Sequence, residues 1–88
     1  MITDYVNMTE EDINRFQNGL DLLLTLARIH YGELGTLIGV SRQTIMNLCK
    51  GDIKMRKTQY IAINVMLDYK LGEEYKKLLE IVYSMKGL

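Results

Sequence analysis

Arg42, Gln43 and Asn47 carry the side chains of this 88-residue chain best suited to reading the edge of a base pair. Arginine can pair in two places with guanine, and glutamine or asparagine in two places with adenine. The three stand at i, i+1 and i+5 of a helix predicted over about 41–50, whose Thr44, Ile45 and Leu48 belong to packing or to the helix wall. Ser41 at the helix start, Lys50 near its end and Lys54 in the loop beyond are candidates for phosphate contacts. Met46 is placed to touch a thymine methyl group if it lies on the surface. Three polar residues on an exposed helix face are also what any solvated helix carries. The elements that hold them therefore decide the reading.

Those elements are written in the stretch Tyr31–Gly51. Leu34, Leu37 and Ile38 recur at three- to four-residue spacing, and Ile45 and Leu48 repeat the pattern further on. Gly39 suits a helix end that must swing to positive φ, which costs least without a Cβ. Val40 follows as an apolar plug, and Ser41 can cap the next helix by accepting a bond from a free backbone N–H. Gly51 stops that helix. Two short helices across a tight turn make a helix-turn-helix over about 31–50, whose second helix can enter a major groove.

Residues 34–48, L-G-T-L-I-G-V-S-R-Q-T-I-M-N-L, resemble the Cro/CI-type helix-turn-helix of phage repressors and xenobiotic-response-element-like regulators. That family's pattern is L-A-x-x-x-G-V-S-x-x-T-I-x-x-x-E-x-G. Leu34, Gly39, Val40, Ser41, Thr44, Ile45 and Gly51 match it, and a weaker likeness runs from about Thr9 to Tyr69. The resemblance implies an all-α, five-helix, lambda-repressor-like DNA-binding domain. It also implies that Arg42, Gln43 and Asn47 form the base-reading surface. Relatives often place a phosphate-binding Gln where this chain has Tyr31, whose hydroxyl can still donate to a phosphate; an ordinary half-exposed aromatic is the alternative. His30 replaces the usual Ser or Thr cap and has no Cys or second His beside it, so a surface or capping role is expected and no metal site.

Two departures go together. The family's Glu in the second helix of the motif is Cys49 here, and its Arg partner late in the first helix falls on Leu24. Replacing a whole buried ion pair by apolar groups can be neutral or stabilising, whereas losing one partner strands a charge. Cys49 is thus expected to pack against Leu24. A reactive thiol beside Lys50 is the competing reading.

Net charge is zero, but it is segregated. Residues 1–39 hold two basic residues against six acidic ones, residues 40–60 hold five basic ones against Asp52, and residues 61–88 hold four of each. The positive excess lies on the motif's second helix and the loop after it, where it can meet phosphates although the whole chain is neutral. A solvated charged loop is the bland alternative. The chain is 48% hydrophobic, has no proline and draws its apolar residues mainly from Leu, Ile and Met, which favours one small helical domain. No apolar run approaches the ~18 residues of a membrane span, and the N-terminus lacks a signal-peptide pattern. A single cysteine excludes an internal disulfide. A cytoplasmic protein is expected.

In chain order, residues 1–8 are expected to be an irregular arm, and residues 9–88 one domain. Thr9 caps a first helix over about 10–28, with Asp12 completing a variant capping box and Met8 and Ile13 a hydrophobic staple. Gly19 inside it costs about 1 kcal/mol relative to Ala and leaves room for the close approach of another helix. A helix over about 57–70 follows the loop, Gly72 breaks it, and a last helix spans 73–86. That last helix has a surplus of apolar residues, Ile81, Tyr83 and Met85, which predicts a homodimer interface. If Ile81 covers the first helix, a monomer follows instead.

The function expected is sequence-specific binding of double-stranded DNA by a small transcriptional regulator, a repressor of phage or mobile-element type. No cofactor is implied. The alternative is a protein-interaction module on the same fold, such as an antirepressor, a defence-system inhibitor or an antitoxin, with a protein partner in place of DNA. An enzyme is not expected, because the chain has one His, one Cys, no paired carboxylates at a useful spacing and no phosphate-cradling glycine loop.

Overall fold

A computed structural model describes residues 8–88; most of the expected N-terminal arm, residues 1–7, lies outside them. The described residues form five helices and no strand: α1 Glu10–Ala27, α2 Tyr31–Ile38, α3 Arg42–Lys50, α4 Lys57–Leu71 and α5 Glu73–Lys86. The architecture is all-α.

α1 begins where its cap predicts. Thr9 Oγ1 accepts from the Asp12 N–H at 3.1 Å, and Asp12 Oδ2 accepts from the Thr9 N–H at 2.9 Å. Those bonds hold the Asp12 carboxyl below the usual carboxylate range. The helix ends one residue short of the expected Arg28. Arg28 takes a left-handed conformation, φ 59 and ψ 41, and its N–H turns back to Leu24 and Thr25. Such a conformation is uncommon for a residue with a Cβ. It is fixed by the next residue, since Ile29 donates to the Leu24 carbonyl at 3.0 Å and is itself buried.

The other ends follow the same chemistry. Ser41 Oγ accepts from the Thr44 N–H at 3.1 Å, so Ser41 is the cap and α3 proper starts at Arg42. Gly39, Gly51 and Gly87 end α2, α3 and α5 in the left-handed region. Gly72, at φ 60 and ψ −136, separates α4 from α5.

Every helix contributes to one core: Leu20, Leu34, Ile45, Leu48, Ile63, Leu67 and Val82 are fully buried. Each such side chain is worth about 1.5–3 kcal/mol of transfer free energy. Ile29 and Met55 bring the connecting segments into the same core. Phe16 of α1 meets Tyr60 of α4 edge to face, with ring centroids 5.2 Å apart. The buried polar Asn64 is satisfied: it accepts from the Tyr75 hydroxyl at 2.6 Å and donates to the Tyr60 carbonyl at 2.8 Å.

Two close approaches set how the helices meet. A Cβ on Gly35 would lie 2.6 Å from the Val40 carbonyl oxygen, so α2 packs directly on the backbone that enters α3. A Cβ on Gly19 would lie 2.9 Å from Val82 Cγ1, so α5 crosses α1 there. The second is the helix approach that Gly19 was expected to permit.

Candidate nucleic-acid interface

The α2–turn–α3 unit presents the N-terminal end of α3 to solvent. Ile45 and Leu48 are fully buried beneath it, while Ser41, Arg42 and Gln43 are exposed and Asn47 is half-buried. Arg42 lays its aliphatic stem along α2, with Cδ 3.7 Å from where a Gly32 Cβ would sit. Gln43 Nε2 donates to Asn47 Oδ1 at 3.0 Å, so two of the predicted base readers are paired with one another across one helical turn. Reading a base requires that modest bond to be exchanged. Thr44 is half-exposed, and its hydroxyl lies 3.0 Å from that of Ser41. Met46 is half-buried.

The predicted phosphate contacts divide. Lys50 is exposed, and among the described residues no ion pair holds it. Ser41 Oγ is occupied in capping α3, with its proton still available to a ligand or to Thr44. Lys54 forms an ion pair with Glu10, so the acidic first turn of α1 stands beside the basic loop. Tyr31 donates its hydroxyl proton to Asp21 Oδ1 at 2.6 Å, and that bond raises its pKa to about 12. Its single donor is committed within the chain, so a phosphate contact from Tyr31 needs that bond to break.

Between α1, α2 and the start of α3 lies an open groove of about 670 Å³, with Arg28, His30 and Arg42 on its wall together with Asp21 and Tyr31. His30 occupies the capping position of α2, but its side chain makes no capping bond. Cys49 is half-buried against the core to which Leu24 belongs. Burial first, and then the Asp21 charge, push its thiol up to about 12. That is the environment of an inert thiol. Among the described residues no group of three or more His, Cys, Asp or Glu is placed to hold a metal ion.

The three apolar residues assigned to a dimer face do not share one. Ile81 and Met85, four apart, are 47% and 66% exposed. Tyr83, two residues from each, falls on the other flank of α5 and is drawn into the chain's own packing. The Arg15 guanidinium stacks 4.1 Å from its ring centroid, and its ring lies against Gly19. Burial raises the Tyr83 hydroxyl to about 12. Among the described residues the most exposed large apolar side chain is instead Tyr69 of α4, at 85%. Its signal was legible as the stripe Thr58, Ala62, Val65 and Tyr69, which runs opposite the side of the helix that carries the buried Ile63 and Leu67 and the half-buried Tyr60.

Sequence reasoning also passed over Gln17. It is 7% exposed and sits on the apolar side of α1 among Ile13, Leu20 and Leu24, four, three and seven residues away. A polar residue in register with an apolar stripe was the available clue. Among the described residues no helix is long and apolar enough to cross a membrane. Compared with known proteins, the chain matches no family model, no curated sequence and no solved structure.

Proposed function

We propose that this chain is a lambda-repressor-like helix-turn-helix protein that reads double-stranded DNA through α3 and acts as a small cytoplasmic transcriptional regulator, a repressor. The observation that carries the reading is the α2–α3 unit. Gly35 seats the first helix on the turn, Ile45 and Leu48 anchor the second, and Arg42 and Gln43 are left exposed at its N-terminal end, with the half-buried Asn47 one turn on from Gln43. Arg42 and Gln43 supply base contacts, with Asn47 freed from Gln43 on binding. Ser41, Lys50 and Lys54 supply phosphate contacts, Lys54 by leaving Glu10. Tyr31 joins them only by giving up Asp21. Two copies read a palindrome, and Ile81 and Met85 are the part of the last helix free to join them.

A second reading has its own support. Tyr69, Ile81 and Met85 expose apolar surface on a neutral chain whose α1 opens on three acids. That suits an antirepressor, defence-system inhibitor or antitoxin whose target is a protein.

One experiment separates them: selection of bound duplexes from random DNA, with the Arg42→Ala/Gln43→Ala double variant in parallel. The DNA reading expects an enriched palindrome that vanishes in the variant. Its affinity should fall steeply with salt, as phosphate contacts require. No enrichment with folded protein rejects the DNA reading. A partner captured through apolar surface, with little response to salt, is the outcome the second reading expects.

A further inference from the structure

The buried amide of Gln17 makes three hydrogen bonds to one short stretch of backbone. Nε2 donates to the Leu48 carbonyl at 3.0 Å and to the Ile53 carbonyl at 2.7 Å. Oε1 accepts from the Met55 N–H at 2.9 Å. Both donors of the amide are thereby used, and its oxygen as well. Leu48 belongs to the last turn of α3, while Ile53 and Met55 lie in the loop between α3 and α4. The residue between Ile53 and Met55 is Lys54. One side chain of α1 therefore grips the peptide units on both sides of Lys54 and ties them to the end of α3.

The chemistry is particular to glutamine. A carboxylate at this position cannot donate to two carbonyls, and an apolar side chain can neither donate nor accept. The Leu48 carbonyl would keep its bond from the Gly51 N–H at 3.2 Å. The Ile53 carbonyl and the buried Met55 N–H would lose the partner that Gln17 gives them.

We propose that Gln17 is a positioning residue for phosphate recognition, fixing the loop so that Lys54 meets the DNA backbone at a set distance from the reading end of α3. The inference rests on the DNA reading above. Gln17 touches no DNA; it acts through Lys54. Glu10 holds the Lys54 ammonium until a phosphate replaces it.

The test compares wild type, Lys54→Ala, Gln17→Met and the double variant, each binding the selected duplex over a range of salt. Loss of one phosphate contact lowers the slope of log K against log salt by about 0.9. Lys54→Ala and Gln17→Met are each expected to lower it by that amount, with the double variant no lower than either single one. Base preference should be unchanged in all three, and the Met55 amide should exchange faster in Gln17→Met. A merely structural role for Gln17 would lower melting temperature and leave the slope of the folded protein intact; that result overturns the proposal. So does a double variant whose slope falls by the sum of the two.

Gln17→Glu serves if Gln17→Met fails to fold. Its carboxyl donates one bond when protonated and none when ionised, so its slope should drop from near wild type as pH rises through the carboxyl's pKa. A slope that follows wild type at every pH overturns the proposal. Absence of salt-sensitive duplex binding in wild type overturns the DNA reading, and this inference with it. Binding in wild type with an unmoved slope in the Gln17 variants overturns this inference alone.

Discussion

Two helix crossings in this molecule depend on a glycine, and they are built differently. Where α2 meets the turn, Gly35 faces backbone: its missing Cβ would lie 2.6 Å from the Val40 carbonyl oxygen and 3.3 Å from the Ser41 carbonyl carbon. Where α1 meets α5, Gly19 faces side chains, Val82 Cγ1 at 2.9 Å and Tyr83 Cε1 at 3.5 Å. Side chains can rotate or lean by a few tenths of an ångström, whereas a carbonyl that enters a capped helix moves only with its helix. The angle between α2 and α3 is therefore set by main chain, and the seat of α5 by side-chain packing that can adjust. On the DNA reading proposed above, the hard contact is the one beneath the reading surface. The adjustable one lies under the helix that carries Ile81 and Met85.

The rear of α3 offers the largest measurable effect. Cys49 lies on the side of α3 turned toward α1, and its thiol is pushed up to about 12 by burial. Against the ordinary cysteine value of 9.0, its thiolate fraction at neutral pH is lower by roughly a thousandfold. Iodoacetamide should react with Cys49 of the folded protein slower than with a free thiol by about that factor. In denaturant the difference should disappear. Reaction at the free-thiol rate under native conditions would mean that α3 lifts readily from α1, and a firmly held α3 would have to be given up.

Gly35→Ala is next, and its sign is the informative part. Alanine is the better helix former by about 1 kcal/mol. The pattern that residues 34–48 resemble also has alanine here, so the change restores it. At this crossing the added methyl must push α2 from the α3 entry, and overpacking of this kind costs about 1–3 kcal/mol, which outweighs that gain where the neighbour is backbone that cannot lean away. The melting temperature should fall by about 4–8 °C for each kcal/mol. Binding to the selected duplex should weaken further than the loss of folded protein explains, because α3 is re-aimed. A variant that melts higher than wild type would show that the Val40 carbonyl gives way easily.

Most of the fold was legible because its signals are local. Thr9 and Asp12, Ser41, Gly39, Gly51 and Gly72 each mark an end by a bond or a dihedral that their own residue type allows. The helix ends accordingly differ from expectation by a single residue at most, as at Arg28, Ser41 and Leu71. Arg28 was missed because its left-handed turn is imposed from outside, by burial of Ile29. The candidate site was legible as a set of residue types and less so as an arrangement. The Gln43–Asn47 pair follows from their spacing. The Tyr31–Asp21 and Lys54–Glu10 pairs join residues 10 and 44 positions apart, and Gln17 reaches 31 to 38 residues along the chain. Such partners are chosen by how the helices dock, which no window of sequence contains. Tyr83 shows the same limit: its apolar surplus was visible, but the Arg15 and Gly19 surface that absorbs it was not.

Gly19→Ala should have the smallest effect of the three and tests the softer seat. The methyl lies inside the contact distance of Val82 Cγ1, and Val82 is fully buried, so something must move. The gain in helix propensity is about 1 kcal/mol, comparable with the lower end of the overpacking cost. The net change in unfolding free energy should stay within about 1 kcal/mol of zero, measured by urea titration with unchanged m-value. Any readjustment passes to Val82, Tyr83 and Leu88, whose side chains line the crossing, and not to the α2–α3 turn. Duplex affinity of the folded protein should therefore hold. Were Gly19→Ala to destabilise as much as Gly35→Ala, α5 would be held as rigidly as α3, and Tyr83 stacked on Arg15 would have to be counted among the contacts that fix the fold.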